Sequence, residues 1–362
     1  FGARDQKKLH DAVHTSIALS LAAGLIMMVV GYFASPLILE LMGTPEKVID
    51  NSVLYLQVYF LGIMGVMIYN MGSGILRAVG DSKNPLYFLI ISSLTNIVLD
   101  LLFVAVFKMG IAGAAWATLI SQCLSAVLVI ILLIRSKSEY RLILKDIRFE
   151  KTMLSSIIRI GLPSGVQNAI VSFSNVIVQS NINSFGASAM AGCGAYTKID
   201  GFAILPVMSF SMAMTTFVGQ NLGAKKYDRV KQGAKTGMIM SCSVTAVIAL
   251  ILYLFAPNIL TVFSQEKDVL YYGTLMMRTV VPGYLFLAIS HALSGVIRGA
   301  GLTTVPMIVM VCCWCFLRMG WILSMMPILE DIRVVFWGYP ITWTASAICM
   351  YLYYKKANWL YR

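Results

Sequence analysis

The chain has 362 residues, 59% of them hydrophobic and 12% charged, with a mean hydropathy of +0.80, a balance that excludes an ordinary soluble domain. Its formal net charge of +12 would suggest a nucleic-acid partner in a soluble protein. Here the basic residues gather in alternate loops, which marks membrane topology and argues against nucleic acid.

Apolar runs of about twenty residues, each enough to cross a ~30 Å hydrocarbon core, recur ten times. They cover residues 14–40, 50–75, 85–107, 111–134, 161–185, 188–220, 234–262, 271–297, 304–327 and 334–354. If these spans alternate, one set of loops holds Arg4, Lys7, Lys8, Arg77, Lys83, the 135–159 cluster, Lys225, Lys226, Arg229, Lys231, Lys235, Arg298, Lys355, Lys356 and Arg362. The opposite set holds only Lys47, Lys108, Lys267 and Arg333. The positive-inside rule then places both chain ends in the cytoplasm of a multi-pass protein of the cell (inner, plasma) membrane.

The chain repeats itself at an offset of 221 residues: FGARDQKK answers LGAKKYDR, and GILRAVGDSKNP answers GVIRGAGLTTVP. Such duplication is the signature of a transporter built from two similar halves. Upstream of Leu222 the second copy carries two further apolar segments, so the first copy is expected to have counterparts, roughly sixty residues or two spans, ahead of Phe1. The expected fold is all-α: two pseudo-symmetric six-helix lobes, the first lacking two helices. Residues 1–140 form the amino-terminal lobe, 141–159 an amphipathic cytoplasmic linker with Leu144, Ile147 and Phe149 among its charges, and 160–362 the carboxy-terminal lobe. Pro163 is expected to open the span that follows the linker.

His10 and His14 stand four apart, a spacing that suits a metal but reads first as a solvated helix face. The seven Cys fall inside predicted spans and read as small buried side chains, not metal ligands or disulfides. No GxxxxGK[ST] loop occurs, which argues against direct ATP coupling.

An ionisable group in hydrocarbon is a functional hypothesis by default. Asp100 and Asp200 are the acidic residues inside predicted spans, with Asp200, in TKIDGFA and two residues from Lys198, expected near the start of its span and close to the interface. Asp100 shares a helix face with Asn96 and with Ser92 or Ser93. On the next predicted helix, with the turn centred near Met109, Thr118 should lie level with Asp100, and Gln122 level with Asn96. Carboxylate, amide and hydroxyl oxygens at one depth suit a hard cation such as Na+, or a carboxyl that takes and releases a proton. Gln57, Tyr59, Gln167, Asn168, Asp200 and Arg278 are the candidate lining of a substrate cleft, with Gln167 and Asn168 expected to face the bundle interior. Arg278 and Arg318 either line that cleft or snorkel, and the many Met suit packing or an adaptable wall.

GILRAVGDSKNP, NIVLD, GIAGAAWATLISQ, VGQNLGAKKYDRV and SGVIRGAG together resemble the multidrug and toxic compound extrusion (MATE) transporters over essentially the whole chain. The resemblance makes these spans the third to twelfth of twelve helices. It implies a V-shaped pair of lobes that exports organic, often cationic, compounds in exchange for Na+ or H+, without a cofactor and as a monomer in lipid. In a prokaryotic subgroup the cation ligands are an Asn and Asp four apart, with an Ala and a Thr on the next helix. These match Asn96, Asp100, Ala114 and Thr118, and place Gln122 as a neighbour. That site also uses an Asp on the first helix, which this chain lacks. Other members use a carboxylate on the seventh helix, and GLPSGVQNAIVSF contains none. A lipid-linked-saccharide flippase of the same superfamily is the alternative. A membrane prenyltransferase is a poorer one, since NIVLD has no second Asp-rich partner.

Overall fold

In the computed structural model, which describes residues 1–361, the protein is helical, with no strand among the described residues. Lipid offers backbone N–H and C=O groups no partner, so segments this apolar must satisfy them internally. Apart from the first two residues, the chain forms two compact units, Ala3–Ile157 and Ile158–Arg362.

The first unit holds α1 (Gln6–Leu41), α2 (Glu46–Ala78), α3 (Lys83–Asp100, continued by a π-helix, Leu101–Val106) and α4 (Gly110–Arg135). The second begins within α5 (Lys151–Asn183) and continues with α6 (Ala187–Ala203), α7 (Leu205–Gly223), α8 (Tyr227–Leu254) and the short α9 (Ala256–Leu260). There follow α10 (Lys267–Val280), a 3-10 turn at Val281–Gly283, and α11 (Tyr284–Gly299). The last elements are α12 (Thr304–Met310), a second π-helix (Val311–Leu317), α13 (Arg318–Leu329) and α14 (Arg333–Lys356).

Among the described residues, eight helical segments are both long and apolar enough to cross a membrane by composition alone, two fewer than the ten apolar runs read from the sequence. The runs at 161–185 and 334–354 do lie in long helices, α5 and α14, but polar residues such as Gln167, Asn168 and Asn175 in one and Tyr339, Thr342 and Thr344 in the other dilute their apolarity.

The duplication is written into the backbone. α1 and α8, α2 and α10, and α3 and α12 start 221 residues apart, and α2 and α11 end 221 apart. Gly80 and Gly301 follow those two ends with φ of 95° and 81°, a region glycine enters without a Cβ clash. Each closes the same C-terminal motif: Gly80 N–H donates to Arg77 O (3.0 Å) and Asp81 N–H to Leu76 O (2.9 Å), while Gly301 N–H donates to Arg298 O (2.8 Å) and Leu302 N–H to Ile297 O (3.1 Å).

Glycines also set helix spacing. A Cβ on Gly72 of α2 would meet Val129 Cγ2 of α4 at 2.8 Å, and one on Gly65 would meet the Gln122 backbone at 3.2 Å, so these helices pack backbone to backbone.

Three local expectations need correction. Pro163 lies inside α5, which starts at Lys151, so residues 151–159 are its first turns and the irregular connection ends by residue 150. His14 is not on a solvated face. It is 1% exposed, its Nδ1 donates to His10 O (2.7 Å), and its Nε2 accepts from Ile143 N–H (3.0 Å). His10 Nε2 lies 3.3 Å from Asp146 Oδ2. The three side chains come close enough to share a metal, but both His14 nitrogens are committed to backbone groups, so they fasten the linker to α1 instead. Cys193, Cys313 and Cys315 are buried, whereas Cys123, Cys312 and Cys349 are exposed, against the expectation that all are interior.

Candidate functional site

Asp100 is the last α-helical residue of α3, immediately before the π-helix Leu101–Val106. Single π turns inside helices recur at functional sites because the extra residue per turn disturbs the regular ladder. Asn96 lies one turn earlier on the same face, and both residues are half-buried. Three of the atoms here are shielded from solvent and have no hydrogen-bond partner within the structure: Asn96 Nδ2 and Asp100 Oδ1 on α3, and Gln122 Oε1 on α4. Buried polar atoms nearly always find partners, and an orphaned one costs about 1–3 kcal/mol. Beside them on α4, Thr118 Oγ1 donates to Ala114 O at 2.9 Å, so its proton is engaged while its lone pairs stay available. The Asn96 Nδ2 is a donor and not a cation ligand, but the oxygens of Asp100, Gln122 and Thr118 are hard ligands, and the Asp100 oxygen is unmatched. That fits a small hard cation or a proton.

The depth pairing expected from the sequence does not hold. Ser92 Oγ donates to Ser121 O at 2.6 Å, where a turn centred on Met109 would have set Ser92 opposite Ala126. Nearer the turn, a Cβ on Gly113 would meet Phe103 Cβ at 2.9 Å, where the expectation set Phe103 opposite Ala115. The two arms of the hairpin are not symmetric: the π-helix Leu101–Val106 lies on one arm only, and the connection between Val106 and Gly110 centres on residue 108. The shifted register moves Thr118 toward the level of Asn96, and Ala114 toward that of Asp100. Gln122 also packs against α2: its Oε1 would lie 2.8 Å from a Cβ on Gly62.

The candidate cleft residues are dispersed. In the first unit Gln57 Nε2 donates to Tyr32 O (3.4 Å) and borders a groove of about 350 Å³ shared with Glu40 and Asp50. Tyr59 is half-buried beside Phe60. In the second unit Gln167 is buried, with Nε2 2.8 Å from Met310 Sδ, whereas its neighbour Asn168 is exposed and does not face the bundle interior as expected. Arg278 is exposed at the end of an apolar groove of about 640 Å³ that includes Phe286, Trp337 and Ile341. Arg318 neither snorkels nor lines an open cleft. It is 2% exposed, bonded to Asn175 Oδ1 (3.4 Å) and Thr342 Oγ1 (3.1 Å), with its guanidinium 4.4 Å from the Tyr339 ring centre.

Asp200 is more deeply engaged than its sequence suggested. It lies near the C-terminal end of α6, far from the span's start, and its Oδ1 accepts from both Tyr196 (3.0 Å) and Tyr284. The two phenol oxygens are 3.1 Å apart, and both rings are almost fully buried. Tyr196 was legible as the i−4 neighbour of Asp200. Tyr284 was not, because it comes from α11, just after the 3-10 turn that interrupts the helix there.

The MatE family model matches residues 1–102 and 163–321. Among curated proteins, the probable multidrug resistance protein YpnP of Bacillus subtilis is 30% identical over 358 residues, covering 99% of this chain and 80% of that one. The probable multidrug resistance protein YoeA of the same species is 29% identical over 365 residues, covering 98% and 78%. Among solved structures, a MOP superfamily transporter from Pyrococcus furiosus superposes with a TM-score of 0.90 at 22% identity, over 97% of this chain and 79% of that one. With the duplicated helical skeleton and the membrane-spanning segments, these likenesses place the chain in the MATE family of multi-pass membrane transporters.

Proposed function

We propose that the protein is a cation-coupled antiporter that exports organic, often cationic, compounds by alternating access; the drug-export part of this reading is supported by its Bacillus subtilis relatives, which are named probable multidrug resistance proteins. It works in the plasma membrane with both described ends toward the cytoplasm, the side on which its basic loops gather. Asp100 binds the coupling ion, Na+ or H+. Asn96, Thr118 and the Ala114 carbonyl are its co-ligands, with Gln122 as a neighbour. The observation that carries this reading is the shielded, unpartnered Asp100 Oδ1 beside Asn96 on α3.

A cation bound there neutralises the carboxylate and changes which conformation the protein prefers. Coupling needs only that the ion and the exported compound favour different states. In proteoliposomes carrying the full protein, dye efflux driven by a sodium or a proton gradient should fall by about tenfold or more, equivalent to ~1.4 kcal/mol per tenfold, in Asp100→Asn. A folded Asp100→Asn that pumps like the parent under both gradients would refute the assignment.

A further inference from the structure

A second half-buried carboxylate, packed against two buried tyrosines, lies wholly within the second unit. Asp200 on α6 accepts from Tyr196, one turn back on the same helix, and from Tyr284 at the start of α11. The two phenol oxygens are themselves 3.1 Å apart, so three oxygens form a closed triangle in which every edge is a hydrogen-bond contact. No carboxylate–base ion pair includes Asp200 among the described residues. We propose that Asp200, Tyr196 and Tyr284 form a proton-binding centre in the second unit, separate from the cation site at Asp100.

The triangle has a hydrogen-bond arrangement for each state. With Asp200 ionised there are two hydroxyl protons, and both point at Oδ1. With one proton added there are three protons and three contacts. Asp200 O–H donates to Tyr284 Oη, Tyr284 turns to donate to Tyr196 Oη at 3.1 Å, and Tyr196 continues to donate to Oδ1. One proton enters, the carboxylate charge disappears, and no polar atom loses its partner. A carboxylate in an apolar span is a costly charge, and this arrangement discharges it without breaking the network. A metal ion fits less well. The centre supplies three clustered oxygens, whereas hard divalent ions take six to eight oxygen ligands, and both phenol protons would have to turn away.

The groups that face Asp200 are few. From its own helix come Tyr196 and, on the inner face, Cys193, while Lys198 turns outward toward the Phe263 ring, 5.9 Å from its centre. From α11 comes Tyr284. From α14 come Tyr339 and Trp343, whose ring centre lies 5.9 Å from that of Tyr284. Arg318 on α13 stands behind Tyr339, its guanidinium against that ring and not against the carboxylate. α10 brings Tyr272 against Gly192, two turns back along α6.

The inference rests on the spans being membrane-embedded, but not on Asp100 being the coupling site. Infrared difference spectra of the full protein in lipid, stepped through pH at fixed sodium, should show a protonated-carboxyl carbonyl band growing as pH falls. Asp200→Asn should delete that band. Tyr284→Phe, which keeps ring and carboxylate but removes one donor, should shift its frequency and midpoint. Asp100→Asn should leave it in place. An Asp200→Asn spectrum matching the parent's at every pH would overturn the proposal, as would a band that Tyr284→Phe leaves unmoved. Loss of efflux in Asp100→Asn with this band intact, or the reverse, tells the two sites apart.

Discussion

Positions 118 and 122 on α4 and positions 339 and 343 on α14 are the same places in the two copies of the repeat. In the first copy they are Thr118 and Gln122, and in the second Tyr339 and Trp343. Each pair stands in a unit that holds a membrane carboxylate, but the carboxylate arrives from a different helix: Asp100 from α3, Asp200 from α6. The place of Asp100 in the second copy is held by Trp321, whose Nε1 donates to Val334 O at 2.9 Å, and the place of Asn96 by Leu317. The duplication therefore fixes the skeleton and leaves the chemistry to a handful of side chains. One copy presents an ionisable oxygen with no partner. The other wraps its oxygen in phenols, with indole and guanidinium groups behind them.

Making the copies more alike tests this most severely. Asn96→Leu gives the first copy the residue of the second, and it should cost about tenfold or more in gradient-driven efflux, by the same ~1.4 kcal/mol scale. Leu317→Asn should leave coupling unchanged, because Trp321 stands where a carboxylate would be needed. Equal losses in the two variants would show that position 96, like position 317, serves packing and not ion coupling. A smaller effect probes what the copies share. Gly80→Ala and Gly301→Ala each force a Cβ into the left-handed region at a cost of about 1–2 kcal/mol, so their thermal unfolding midpoints should drop by similar amounts. A large drop at one turn and none at the other would break the equivalence of the two skeletons.

The skeleton was legible because it rests on strong signals. Runs of twenty apolar residues have few alternatives, and an ungapped offset carries helix starts from one copy to the other. The α3 stripe was legible too, since Asn96 and Asp100 are four apart on one helix. Its partnership with α4 was misjudged, by two positions at Phe103 and five at Ser92, because a symmetric hairpin was the natural reading and nothing in LLFVAV announces a π-helix on one arm. His14 was misjudged for a related reason: the group that buries it, the Ile143 amide, lies far away in sequence. Asp200 was placed near the start of its span, yet α6 begins at Ala187 and puts it about 20 Å along the helix. Local spacing reveals which residues share a face, but a contact made across helices shows only after the helices pack.

The most direct measurement is the reaction of Asp100 with a membrane-permeant carbodiimide, located by mass spectrometry of the full protein in lipid. Carbodiimides modify protonated carboxyls in apolar surroundings, and a bound cation shields the same oxygen. The account predicts that Asp100 is modified, and that raising either the pH or the sodium concentration slows the reaction. An Asp100 that stays unmodified at every pH, or reacts at a rate indifferent to both ions, would contradict it.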